Sequence, residues 1–252
     1  MRVSIAMRRT FLGFFGALCL LATGCGGTMY QASSGVKFDV DGAGREIDDA
    51  DVAKAFDARP QISDRVRVAY YTFDDARADD VEKMLAGVPG VTSTYRIPKL
   101  LVSGQRRFEE RSSYGMQPEL SVKKLRLLAA RAHADVLLVF DHGWRGGGVN
   151  GLVALNILIV PIFVTPWLSN ETESYAQAYV IDVRNGYLYG EASADAKGGK
   201  SMVTLYGDKP DDVADKQWPE LLDTVKAQLT TKLRENAKAS EAAAAAAAAD
   251  AR

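Results

Sequence analysis

Residues 120–144 read LSVKKLRLLAARAHADVLLVFDHGW, and this stretch decides the fold class. Val122, Leu125, Leu128, Ala129 and Ala132 recur at three- and four-residue spacing, which predicts one buried helical face. Ser121 supplies an N-cap oxygen, and Pro118 stands where an approaching chain tolerates a missing N–H. Val136-Leu137-Leu138-Val139-Phe140 does not alternate. So short an apolar run of mainly branched residues suits a strand covered on both faces. Ala134-Asp135 leaves room only for a tight helix-to-strand connection. The expectation is an α/β (α+β) fold: one two- or three-layer domain with a mixed sheet of about five strands, packed helices and a C-terminal helix.

Residues 1–24 are set apart from that domain. Arg8 and Arg9 precede an apolar run from Phe11 to Ala22, followed by Thr23-Gly24-Cys25. A basic region, a short apolar core and small residues form a secretory leader. The run is shorter than the roughly 20 residues that span a bilayer. Translation starts at Met1 or at Met7, since the residues from Met7 onward make a complete leader. The end of the leader resembles the lipobox of bacterial lipoproteins, with Gly24 and Cys25 matching and Ala22 departing from the usual leucine. That resemblance implies cleavage before Cys25 and acylation (palmitate among the chains) of its thiol and new amine. Gly26 implies sorting to the outer membrane, with the body facing the periplasm. Several acyl chains hold far more firmly than one.

Cys19 and Cys25 are the two cysteines. The processed chain would have no disulfide, cysteine nucleophile or cysteine-ligated metal. Loss of Arg2, Arg8 and Arg9 without any acid takes the net charge from −1 to −4, which argues against nucleic acid as a partner.

Residues 25–64 are polar and read as a flexible tether. Asp39-Val40-Asp41-Gly42 begins like a calcium loop, but Ala43 and Ala50 stand where ligands belong. The globular part is expected over 65–237. A strand over 65–73 should lead to a helix burying Val81, Met84, Leu85 and Val88, then to a strand over 91–97, with Leu100 and Leu101 packing beyond it. Residues 102–119 form a long connection, read as a solvated excursion. Arg145–Gly151 reads as a flexible glycine turn. Asn185-Gly186 predicts a two-residue type I′ hairpin in which Arg184 faces Tyr187. Trp218, Leu222, Val225, Leu229 and Leu233 mark a long helix with Pro219 in its first turn. Residues 238–252 are an alanine-rich low-complexity tail.

Residues 152–168 (LVALNILIVPIFVTPWL) are almost wholly apolar and are interrupted by Asn156, Pro161 and Pro166. Burial in the core, a partner patch and a segment dipping into the membrane interface compete, and burial is favoured because exposure would be costly in water. If exposed, Leu158, Ile162, Phe163 and Trp167 are the candidate membrane or partner contacts.

Few motifs carry chemistry. Gly146-x-Gly148-x-x-Gly151 matches the dinucleotide fingerprint in form, but the uniformly apolar, proline-bearing segment after it is no crossover helix. His133 reads as a helix-boundary residue. Asp141-His142 lies where a strand emerges, yet strand geometry points the two side chains to opposite faces, and neither HExxH nor GxSxG accompanies them. Asp182 and Arg184 read as a surface ion pair. No catalytic, cofactor-binding or metal-binding residue is assigned.

The order of elements, with the alanine-rich helix running into Asp135-Val-Leu-Leu-Val and the Asp182-Val-Arg-Asn-Gly turn, resembles the rhombotarget lipoproteins over about Arg65 to Asn236. More distantly it is similar to the α/β core of the curli-secretion-channel lipoprotein, whose relatives form oligomeric pores. The resemblance brings no catalytic residues. The expected role is a non-enzymatic binding or assembly component of the cell envelope, attached to the membrane by its lipid. The alternatives are a subunit of an oligomeric envelope or secretion complex that uses residues 152–168 against lipid, another envelope protein or its own copies, and an enzyme using His142.

Overall fold

The computed structural model describes residues 29–32, 38–39, 49–103, 120–149, 168–199, 201–202 and 209–250. In chain order its elements are β1 (Met29–Ala32), β2 (Phe38–Asp39), α1 (Asp49–Asp57), β3 (Val66–Thr72), α2 (Ala78–Ala86), β4 (Val91–Arg96) and α3 (Lys99–Ser103). There follow β5 (Leu120–Ser121), α4 (Val122–Arg131), β6 (Val136–Val149), β7 (Leu168–Asp182), β8 (Leu188–Gly198), β9 (Ser201–Met202) and α5 (Pro210–Asp250). The fold is α/β, as expected. Five strands run in the order β4-β3-β6-β7-β8, with β1 paired to β6 and β9 to β7, while β2 and β5 form a separate parallel ladder.

The chain divides into two compact units. The larger comprises Ala32–Gly143, Tyr175–Asp195 and Pro219–Arg252, and the smaller Met1–Gln31, Trp144–Ser174 and Ala196–Trp218.

In the larger unit β3 pairs in parallel with β4 on one side and with β6 on the other, Ala69 standing opposite Tyr95 and Leu137. Parallel neighbours need crossovers, and right-handed crossovers to opposite sides of β3 place their helices on opposite faces. The side chains agree. Ala69, Tyr71, Leu137 and Val139 join Val122, Leu125 and Ala129 of α4 in one buried cluster. Tyr70, which points the other way, donates its hydroxyl to Glu82 of α2 at 3.0 Å. Both faces of the central strands are therefore dry, which is why β6 reads as an unbroken apolar run.

Helix α4 forms where its periodicity predicts. Ser121 caps it by accepting from Lys124 N at 3.4 Å. It ends on His133, the non-glycine residue with positive φ (56°) among those described, and Ala134 N reaches back to Ala129 O. Within the larger unit α5 buries Leu221, Val225, Leu229 and Leu233, and its Lys226 Nζ lies 2.5 Å from where a Cβ on Gly87 would stand. Gln228 bonds both the N–H and the carbonyl of Ser193 (2.9 and 2.7 Å), and Asn236 donates to Tyr189 O. These side chains occupy Tyr189 and Ser193 on the outer edge of β8, where another strand could otherwise pair.

In the smaller unit β6 continues through the glycines. The flexible turn expected at Arg145–Gly151 is replaced by strand as far as Val149. A Cβ on Gly146 would stand 2.1 Å from Glu171 O, so glycine here permits close backbone approach by β7. Ser174 donates to Gln217 at 2.6 Å, and Gln217 donates to Thr172 O at 3.4 Å. Glu173 binds Arg145 (2.7 Å) and Lys197.

Other local expectations give way. The hairpin turn has four residues, with Asp182 N donating to Tyr187 O at 2.8 Å and Gly186 N to Asp182 O at 3.1 Å. A type I′ turn needs positive φ at Asn185 as well as at Gly186, and only Gly186 (φ 79°) has it. The Asp182 carboxylate accepts from Arg184 N and Asn185 N (2.7 and 3.2 Å), which selects the longer turn. Leu100 and Leu101 are exposed on α3, and Ile97 and Val102 are the buried neighbours instead. Pro219 is the tenth residue of α5 and lies outside its first turn.

Candidate functional site

Beside β3 the strand order reverses. The chain leaving β3 turns to α2 on one face and returns in β4, while β6 is entered from α4 on the other face. Such a switch point at the carboxyl ends of parallel strands is where α/β sheets hold ligands. Here it falls between the 73–77 loop and the middle of β6.

The side chains gathered there are charged. Asp74 Oδ2 lies 3.4 Å from His142 Nε2. Asp74 Oδ1 accepts from Ala76 N at 2.8 Å, and Thr72 Oγ1 accepts from Asp74 N at 3.3 Å, so the loop entering α2 is held from within. Asp75 binds Arg96 at the end of β4 and lies 3.9 Å from Lys99 of α3. Arg96 also reaches toward Asp79 at 3.8 Å. The hydrogen bond with His142 holds the Asp74 carboxyl below the usual carboxylate value, and partial burial opposes it. The neighbouring Tyr70 hydroxyl is pushed above its ordinary value by burial and then by its bond to Glu82.

An Asp–His pair is half of a general-base arrangement. The aspartate orients one ring nitrogen, and the other must face the proton to be moved. At His142 the aspartate takes Nε2, and Nδ1 is buried without solvent contact. Protein, not an open crevice, surrounds the reactive nitrogen. Asp141 points away from this pair and accepts from the Tyr175 hydroxyl at 3.4 Å, as opposite strand faces require. Among the described residues no group of three or more His, Cys, Asp and Glu side chains could hold a metal ion.

The opposite ends of the same strands carry a second cluster. Asp135 accepts from the Arg67 N–H at 3.0 Å and from Arg184 Nη2 at 3.1 Å. Arg126 of α4 donates to the carbonyls of Val183 and Arg184 at 3.1 and 2.9 Å. Burial pulls the Arg126 guanidinium below its usual value, with the Asp182 carboxylate opposing. Asp182 is 1% exposed and accepts from the Tyr189 hydroxyl. The surface ion pair read between Asp182 and Arg184 is therefore replaced. Asp182 holds the turn from inside, while the Arg184 side chain turns to Asp135 and Gln61 O.

Of the residues singled out by sequence, His133 is exposed at the helix end, and His142 enters the switch-point cluster. Cys25, Leu158, Ile162, Phe163 and Trp167 lie outside the described residues. Sequence reading missed Asp74, Asp75, Arg96, Lys99 and Arg126. The signal for the first two was available: paired aspartates directly after an apolar strand mark its carboxyl end. Arg126 offered none, being one cation in an amphipathic helix.

No family pattern and no characterised protein matches the chain by sequence. Among solved structures it is similar to the PelC dodecamer from Paraburkholderia phytofirmans and to a point variant of it. Each shows a TM-score of 0.32 and 13% identity, over 70% of this chain and 92% or 93% of theirs. At that score the similarity carries no argument about fold or activity.

Proposed function

We propose that this chain is a lipid-anchored, non-enzymatic binding or assembly component of the bacterial cell envelope, held at the outer membrane facing the periplasm. The observation that carries the reading is the basic and apolar leader ending in Gly24-Cys25. The switch-point chemistry supports its non-enzymatic side. Asp74, Asp75, Arg96 and Lys99 are engaged with one another or with His142, and the His142 nitrogen that a base would need is buried. No helix among the described residues is long and apolar enough to cross a membrane.

The test is metabolic labelling with a fatty-acid analogue, followed by membrane fractionation of wild type and Cys25→Ser. Incorporation in the wild type, with loss of label, processing and membrane retention in the variant, is the expected result. Unlabelled wild-type protein would remove the anchor. Co-purification from native membranes, comparing wild type with Leu158→Asp, separates a binding component from an oligomeric subunit: only the subunit loses self-assembly.

A further inference from the structure

We infer that the side of the larger unit carrying α3 and α4 is a docking surface for an anionic phospholipid bilayer. The inference rests on the lipid-anchor reading, which brings the domain within reach of such a surface.

Val122, Leu125 and Ala129 face the core, while Lys123, Leu127, Ala130 and Arg131 are exposed, Leu127 by 53%. Leu127 is thus absent from the buried cluster that Val122, Leu125 and Ala129 join. Helix α3 adds Leu100 and Leu101, exposed by 54% and 49%. The two helices are tied together, since Lys124 Nζ donates to Val102 O, and Leu127 lies one turn along from Lys124. The two helices hold five cations, Lys99, Lys123, Lys124, Arg126 and Arg131, and no acid. Lys99, Lys124 and Arg126 have the internal partners described above. Lys123 and Arg131 make no ion pair among the described residues and flank Leu127.

Charge complementarity selects the occupant. The chain as a whole is mildly acidic, whereas α3 and α4 contain no acid, and with Lys99 turned to Asp75 and Arg126 to the hairpin carbonyls the cations around Leu127 are Lys123, Lys124 and Arg131. Exposed leucines flanked by lysine and arginine on a helix are the composition that sinks apolar side chains to the acyl boundary and leaves the cations among anionic headgroups. Val52 and Phe56, also exposed, sit instead on α1, whose sequence carries Asp49, Asp51 and Asp57 against the single Lys54. Each cation near an anionic membrane surface strengthens binding by about fivefold.

The test uses the full chain with Cys19→Ser and Cys25→Ser, so that it does not depend on acylation and can fail separately from the fatty-acid labelling. Leu127→Cys carries an environment-sensitive nitrobenzoxadiazole dye, and a matched chain carries the dye at Leu188→Cys, 57% exposed on β8. Vesicles are phosphatidylcholine alone or with three parts in ten phosphatidylglycerol. The dye at 127 should brighten and shift to the blue on anionic vesicles, the dye at 188 should not, and Lys123→Glu with Arg131→Glu should weaken the response on the order of 25-fold. Silence at 127, or equal responses at 127 and 188, overturns the proposal. So does a response that grows with protein concentration without vesicles, which assigns the face to a second copy. A response to soluble polyglutamate equal to that on vesicles assigns it to an acidic protein.

Discussion

The two faces of the sheet in the larger unit are alike inside and unlike outside. Inside, α4 presents Leu125 and α5 presents Leu229, each at most 1% exposed. In their sequences, α3 and α4 hold five cations and no acid, while α2 with α5 from Pro219 onward holds eight carboxylates and five cations. Packing constrains only the inward stripe of a helix. The outward residues are free to vary within solubility, so a consistent bias in them carries information about surroundings and not about fold.

That comparison can be broken most directly at the core. Leu125→Ala and Leu229→Ala should each cost about 3 kcal/mol, because both remove a fully buried leucine from a close-packed interior. Urea unfolding that found one of them near zero would show the faces to be unequal inside. Next in size is Asp182→Ala, which takes the acceptor from the Tyr189 hydroxyl and from two turn N–H groups and removes the carboxylate beside desolvated Arg126. A loss of about 2 kcal/mol is expected, from buried donors left without acceptors.

A pH experiment probes the α2 side. The Asp74 carboxyl is held below its usual value in the folded chain, so its contribution is complete above the unfolded value and is lost as pH falls through the folded one. Between pH 7 and pH 3 the wild type should therefore lose more stability than Asp74→Asn, as read by urea midpoints at each pH. Smaller still is His133→Gly, which should add about 0.5 kcal/mol by placing glycine where φ is 56°. Smallest is the stability change of Lys123→Glu with Arg131→Glu, within about 0.5 kcal/mol, since exposed charges far from buried partners matter little to folding. A larger loss would mean these cations hold the fold, and the outer difference between the faces would need a structural explanation.

Much of the fold was legible residue by residue. The α4 stripe, its Ser121 cap and the two-sided strand at Val136–Phe140 came out as read, because each signal lies within a few residues of its cause. Glycines misled at Arg145–Val149: they weaken a strand locally, and only the approach of Glu171 from β7 explains why a strand needs one at Gly146. Asn185-Gly186 misled for a similar reason, since the Asp182 carboxylate outweighs the dipeptide's own preference. Of the candidate site, His142 was noticed, but its partner Asp74 lies 68 positions earlier and leaves no mark near it.

By itself the sequence determined the α/β class and the inward stripe of α4, because periodicity, caps and composition act over one or two turns of chain. Only the tertiary structure decided that Asp74 meets His142 and that Arg126 holds the hairpin turn. Those outcomes depend on strand order and crossover handedness, which arise when distant apolar stripes find one another and which no local stretch records.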